Sequence, residues 1–187
     1  MKIYYWCPYL TNIATIKSVL RSAKSLSENN KTKKIKEVVI LNSSGEWDFQ
    51  KKNSSKIKIM NLYPFSFHKF LPKEGFIQSR ISFLIILFTN LIPLFLKIKN
   101  EKPKYLIVHL LTILPIILSP FLSKNTKIIL RISGLPRLTI LRIMIWKLFS
   151  KYIYKVTAPT QKTLEMLKKS KIFDQNKIFL LRDPAID

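Results

Sequence analysis

The chain is a series of short apolar runs separated by longer segments of mixed polarity. Residues 2–7, KIYYWC, form a continuous apolar run of strand character. After the loop PYLTN, the segment IATIKSVLRSAKSL sets Ile16, Val19, Leu20, Ala23 and Leu26 at helical spacing, with Lys17, Arg21 and Lys24 between them. Thr15 or Asn12 is placed to cap its start. EVVILN at 37–42 and KIKIMNL at 56–62 read as strands around the polar loop 43–55. Residues 63–75, YPFSFHKFLPKEG, form a long aromatic loop of the kind that binds or moves. An apolar helix follows from about 76 to 99, kinked at Pro93. The strand KPKYLIVHL, a short buried helix TILPIILSPFL, and the strand TKIILRI come next. Residues 138–151 are helical in propensity, and YKVTAP is a strand. Thr160 caps the helix QKTLEMLKKSK, and NKIFLLR is the last strand.

Strands alternate with helices, and several strands are apolar on both faces. That predicts one α/β domain over residues 1–187: a parallel sheet with helices on both faces. Ligands of such sheets sit beyond the carboxyl ends of the strands. Here those ends are Cys7-Pro8, Asn42, Leu62-Tyr63, His109, Arg131 to Ser133 and Ala158 to Thr160. The chain has 3 glycines, and Gly134 stands at one of these ends. Either it lets a ligand approach the backbone, or it makes a tight turn before Pro136.

Charge narrows the partners. With 33 Lys+Arg against 10 Asp+Glu, the formal net charge is +23 at pH 7. Part of that excess is what A/T-rich codons produce, since Ile and Asn are abundant too. The remainder favours an anionic membrane surface, a phosphorylated substrate or nucleic acid. No nucleic-acid motif occurs, and buried parallel strands suit that reading poorly; a basic nucleic-acid-binding protein is the alternative from another class. Residues 81–96 and 105–123 are uncharged but broken by polar residues or proline, so an integral protein with one or two short spans is a further alternative. No signal-peptide pattern follows Met1, which predicts a cytosolic amino terminus. At 137–155, basic residues interleave with aromatics, making Arg142, Trp146, Lys147 and Lys151 candidate membrane contacts. An ordinary core helix with solvated lysines fits the same segment.

Several chemistries lack their signatures: no G-x-G-x-x-G, no G-K-S/T phosphate loop, no H-E-x-x-H and no G-x-S-x-G. The single Cys7 and two separated histidines, His68 and His109, argue against a zinc site. Glu46, Asp48 and Glu74 lie in polar loops, where solvated carboxylates are the common case. His109 ends a strand, either as an ordinary hydrogen-bonded strand-end histidine or to orient a hydroxyl or bridge a phosphate. Arg131 lies within an apolar strand, so its guanidinium must reach the open end, a carboxylate or an anionic ligand.

MKIYYWCPYL…IKSVLRSAKSL, EKPKYLIVHL, RISGLPRL, KVTAPTQKTLEMLKK and DQNKIFLLRDPAID, in this order, resemble the amino-terminal half of a family 4 glycosyltransferase of the GT-B type. The resemblance implies a single Rossmann-like acceptor-binding domain, with the nucleotide-sugar domain beyond Asp187 and no activity without it. It implies a nucleotide-sugar as substrate and no separate cofactor. The acceptor would be a saccharide, often lipid-linked, in polysaccharide or lipopolysaccharide synthesis at the inner face of the membrane. The substrate-binding set it suggests is Asn12, Thr15, Lys17, His109, Arg131, Ser133 and Gly134. Departures are the glycine-free first loop and Ser133 where many members carry histidine.

Overall fold

A computed structural model describes residues 1–11, 13–28, 34–51, 57–134 and 138–182. Seven strands form one sheet: β1 (Lys2–Trp6), β2 (Glu37–Asn42), β3 (Lys58–Asn61), β4 (Tyr105–Val108), β5 (Lys127–Arg131), β6 (Ile153–Ala158) and β7 (Ile178–Leu180). The helices are α1 (Ala14–Glu28), α2 (Asp48–Lys51), α3 (Phe76–Glu101), α4 (Ile113–Leu118), α5 (Ile140–Phe149) and α6 (Gln161–Lys169). Every paired strand is parallel, in the order β3-β2-β1-β4-β5-β6-β7. The expected Rossmann-like α/β layer is what forms.

This order dictates which face each helix covers. The chain steps one way from β1 to β3, then the other way from β4 to β7. Right-handed crossovers in opposite directions place their helices on opposite faces. Accordingly α1 packs Ile16, Val19 and Ala23 with Ile3, Tyr5 and Ile40 on one face. On the other, Leu94 and Ile98 of α3, Leu114 of α4, Trp146 of α5 and Leu167 of α6 pack with Tyr4, Trp6, Val39 and Leu130. The reversal falls between β1 and β4, and there the loops at the carboxyl ends diverge.

Local chemistry sets the boundaries. Thr160 caps α6 as expected, its hydroxyl accepting from the Thr163 amide at 3.2 Å. Thr15 does not cap α1, because the helix begins one residue earlier and takes Thr15 into its first turn. The uncharged stretch 105–123 divides into β4, α4 and a short 3-10 turn, so it holds no helix long enough to cross a membrane. α3 runs unbroken through Pro93. Proline donates no hydrogen bond to the carbonyl four residues back, which is that of Thr89. The Tyr63 hydroxyl donates to it instead. The long aromatic loop is thereby tied to α3, and Phe67 packs beside Leu10, Leu71 and Ile86.

Candidate functional site

Two cavities flank the reversal point at the carboxyl rim. The first lies beyond β1 and β2, has a volume of about 520 Å³, and is lined by Tyr9, Leu10, Thr11, Glu46, Phe49, Gln50, His68 and Lys73. Its wall is a polar knot that begins where β2 stops. The Asn42 side-chain carbonyl accepts from the Gly45 and Trp47 amides at 3.1 and 3.0 Å. Its amide donates to Asp48 and Asn61, both at 2.8 Å. Glu46 then folds back and accepts from the Ser43 amide and hydroxyl at 3.0 and 2.8 Å, and from those of Ser44 at 2.7 and 2.9 Å. Gly45 is required at the corner: its φ is +105°, and a Cβ there would stand 1.7 Å from the Ser66 hydroxyl.

The knot also fixes His68. Its Nδ1 lies 3.2 Å from the Ser44 hydroxyl, and its backbone amide donates to the Ser44 carbonyl at 2.8 Å. Burial, with repulsion from Lys73, lowers the His68 pKa to about 4, so the ring is neutral near pH 7. Burial raises the Glu46 pKa, against the hydrogen bonds from Ser44 and Ser43. Tyr9 donates its hydroxyl to the Glu46 carbonyl and sets its ring edge-on to Trp47, with centroids 5.0 Å apart. Glu46 therefore shapes the wall, while His68, Lys73, Thr11 and Gln50 offer hydrogen bonds and Phe49 offers an exposed ring. Such a mixture suits a sugar, whose hydroxyls need donors and acceptors and whose C–H face packs on aromatic rings.

The second cavity, about 200 Å³, opens beyond β4 and β5 and is lined by Leu110, Thr112, Arg131, Ile132, Ser133, Gly134, Arg142 and Trp146. Gly134 has nothing within 4 Å of where a Cβ would stand, and its φ is not in the left-handed region. It faces open space rather than serving a strained corner. Arg131 is buried in β5 and donates to the Arg182 carbonyl at 3.4 Å. Arg142 has its pKa lowered by burial and by the nearby Arg80. The Trp146 indole N–H is buried without a partner. Arg142 and Ser133 give this cavity a cationic, hydrogen-bonding rim. The Arg131 side chain alternates with Leu130 and Ile132 and reaches the other face of the sheet, towards Tyr5 and the Arg182 carbonyl.

A third cavity, about 630 Å³, lies on the sheet face between α1 and β7, lined by residues including Arg21, Leu26, Ile129, Arg131, Lys155 and Phe179. It exists because the crossovers after β4 all run to the opposite face.

The structure thus brings Ser133, Gly134 and Arg142 together at the end of β5, with the Arg131 side chain turned to the other face of the sheet. His109 is fully buried at the end of β4, stacked on Tyr5 at 6.3 Å, with neither ring nitrogen hydrogen-bonded. Burial and Arg131 lower its pKa to about 3. Thr15 and Lys17 lie on α1 and line none of these cavities, whereas Asn12 and the turn residues 135–137 lie outside the described residues. Trp146, expected at a membrane surface, is 1% exposed and packs on Phe173, so it is a core residue. Lys147 and Lys151 are exposed. Among the described residues no three His, Cys, Asp or Glu side chains converge to ligate a metal ion. Sequence reasoning missed Tyr9, Phe49, His68 and Lys73 as a site; the Ser-Ser-Gly-Glu run directly after a strand was the available signal.

No protein-family model and no curated protein matches the chain. Solved structures do match. HepE (Alr3699) from Anabaena, in complex with UDP and glucose, superposes with a TM-score of 0.59 at 8% identity, over 99% of this chain and 45% of that one. The lipopolysaccharide outer core galactosyltransferase WaaB gives 0.58 at 13% identity, over 99% and 46%. The UDP-GlcNAc 2-epimerase from Neisseria meningitidis, bound to UDP-GlcNAc, gives 0.57 at 14% identity, over 98% and 47%. The chain spans less than half the length of these structures. At such identities the likeness shows the fold, a Rossmann-like layer matching one part of GT-B architectures.

Proposed function

We propose that this chain is the acceptor-side part of a glycosyltransferase, working with a donor-binding domain that grips the nucleotide-sugar. The observation that carries this reading is the pair of rim cavities, one with hydrogen-bonding groups and an exposed ring suited to a sugar, one cationic, on a sheet that superposes on nucleotide-sugar enzymes. In this arrangement the acceptor saccharide occupies the cavity beyond β1 and β2. His68 and Lys73 hold its hydroxyls and Phe49 its apolar face. Arg142 and Ser133 face a phosphate, either of a lipid-linked acceptor or of the donor. The acceptor class that fits is a lipid-linked polysaccharide or lipopolysaccharide precursor, handled at the cytosolic side of the membrane. A sugar held there is only positioned; activation of the leaving nucleotide belongs to the donor domain, so the chain alone transfers no sugar.

The epimerase shares the fold, but an epimerase acts on the nucleotide-sugar itself and needs no separate saccharide site. Calorimetric titration with a panel of oligosaccharides and with UDP-sugars separates the two. Saccharide binding is expected, weakened about tenfold by His68→Ala or Lys73→Ala, the loss of one good hydrogen bond. Turnover of a nucleotide-sugar by the chain alone, or saccharide affinity indifferent to both substitutions, overturns the reading.

A further inference from the structure

α3 is built inside out. Its inward stripe is Ser82, Ile86, Asn90, Leu94 and Ile98, all buried, so both of its buried polar side chains point at the protein. Its outward stripe includes Ile81, Leu84, Phe88 and Ile92, exposed by 46, 53, 71 and 65%. The helix has 26 residues and is thus about 39 Å long at the usual rise. It has a window with mean hydropathy of 2.2, of which 28% is buried, and it is long and apolar enough to cross a bilayer.

Its packing argues against crossing. Leu94 and Ile98 share one core with Tyr4, Trp6 and Val39 of the central strands. Ser82 donates to the Pro72 carbonyl, and Tyr63 serves the carbonyl that Pro93 leaves free. To span a bilayer, α3 would have to leave the sheet and expose that core. It lies along the domain instead, with its apolar side outward.

α5 repeats the arrangement on the same face of the sheet. Trp146 points inward, and Leu141, Met144 and Leu148 are exposed by 65, 63 and 68%. α4 packs against both α3 and α5, so the two helices flank it on this face. Arg80 of α3 sits over the Phe76 ring, 4.2 Å from its centroid. Exposed apolar patches of this extent on a monomer mark a binding surface. The cations beside this one, Arg80, Arg142, Lys147 and Lys151, on a chain of net charge +23, select a partner that is both apolar and anionic.

We propose that the outward faces of α3 and α5 form one bilayer-docking surface, in which both helices lie in the plane of an anionic phospholipid leaflet. The apolar stripes enter by about 5–10 Å, to the boundary between headgroups and acyl chains. Lys147 and Lys151 meet lipid phosphates. This deepens the peripheral-membrane part of the preceding reading and rests on it, but not on sugar transfer. The surface includes α5, and α5 carries Arg142 of the cationic rim cavity. A phosphate in the headgroup layer and the end of the sheet are thereby brought side by side.

The test is sedimentation of the chain with phosphatidylcholine vesicles, with and without phosphatidylglycerol, joined to depth measurement by nitroxide labels. Phe88→Glu and Ile92→Glu, at exposed positions, are expected to retain native unfolding profiles and to lower partitioning about tenfold each. Lys147→Gln and Lys151→Gln should each lower it about fivefold on the anionic vesicles and not on the neutral ones. Labels at Leu84→Cys and Ile92→Cys should report one shallow depth. Labels that descend toward the bilayer centre along α3 would show a spanning helix and overturn the proposal. Absence of vesicle binding would overturn it too, as would a dimer of the chain that Phe88→Glu dissociates without vesicles being bound. Saccharide binding that survives such a failure leaves the transfer reading standing, and the converse holds equally.

Discussion

α1 and α3 cover opposite faces of one sheet and follow opposite rules. α1 is amphipathic in the ordinary sense, with Ile16, Val19 and Ala23 inward and Lys17 and Lys24 exposed. α3 keeps Ser82 and Asn90 inside and turns Phe88 and Ile92 out. A helix whose outer side is solvated announces its inner face by its period. A helix apolar on both sides is oriented by packing and by scattered polar contacts, and its outer side needs a non-aqueous neighbour. Each of the following measurements probes that contrast or the rim between the two faces.

The largest difference is expected within α3 itself. Leu94→Ala removes a fully buried side chain from the sheet side and should cost about 2–5 kcal/mol in denaturant unfolding. Phe88→Ala, on the outer side, should change stability by no more than about 0.5 kcal/mol in water. Equal costs would mean that the two sides of α3 are not distinguished as described. Glu46→Leu comes next on the α1 side. It orphans the amides and hydroxyls of Ser43 and Ser44, and a loss of about 2–4 kcal/mol is expected by the same measurement.

His109 gives a pH signature. Its folded pKa, about 3, lies below the unfolded value of about 6.5. Above that upper value both states are neutral and the group contributes nothing. As pH falls between the two values the unfolded chain takes up a proton that the folded chain refuses, and stability is lost. At pH 5 the loss reaches about 2 kcal/mol relative to neutral pH. His109→Leu should remove that share of the acid destabilisation, while His68, held neutral for the same reason, retains its own. A variant whose acid profile matches the parent would refute the burial of an uncharged ring at the end of β4. The smallest effect is Tyr63→Phe, which frees the Thr89 carbonyl to water and should cost about 0.5–1 kcal/mol.

Much of this architecture was legible in the pattern of residues. Continuous apolar runs marked strands buried on both faces, Thr160 marked a helix start, and the alternation of elements marked a parallel sheet. The orientation of α5 was not legible, because Trp146 and Leu148 are equally apolar and no period says which one faces in. The rim behaved the same way. Ser133 and Gly134 are neighbours along the chain, and their grouping was visible. Glu46, His68 and Tyr9 come from three separate loops and meet only once β1 and β2 pair. α2 was also hidden, since its four residues lie in a segment whose composition reads as loop.

The measurement that bears most directly on the account is amide NMR of the chain titrated with an oligosaccharide to which it binds. Shifts are expected at Tyr9 to Thr11, around Glu46 to Gln50 and from His68 to Lys73, with the outer side of α3 silent. Saccharide shifts confined to α3 and α5, or a UDP-sugar perturbing the β1–β2 rim while every saccharide leaves it unmoved, would contradict an acceptor site there.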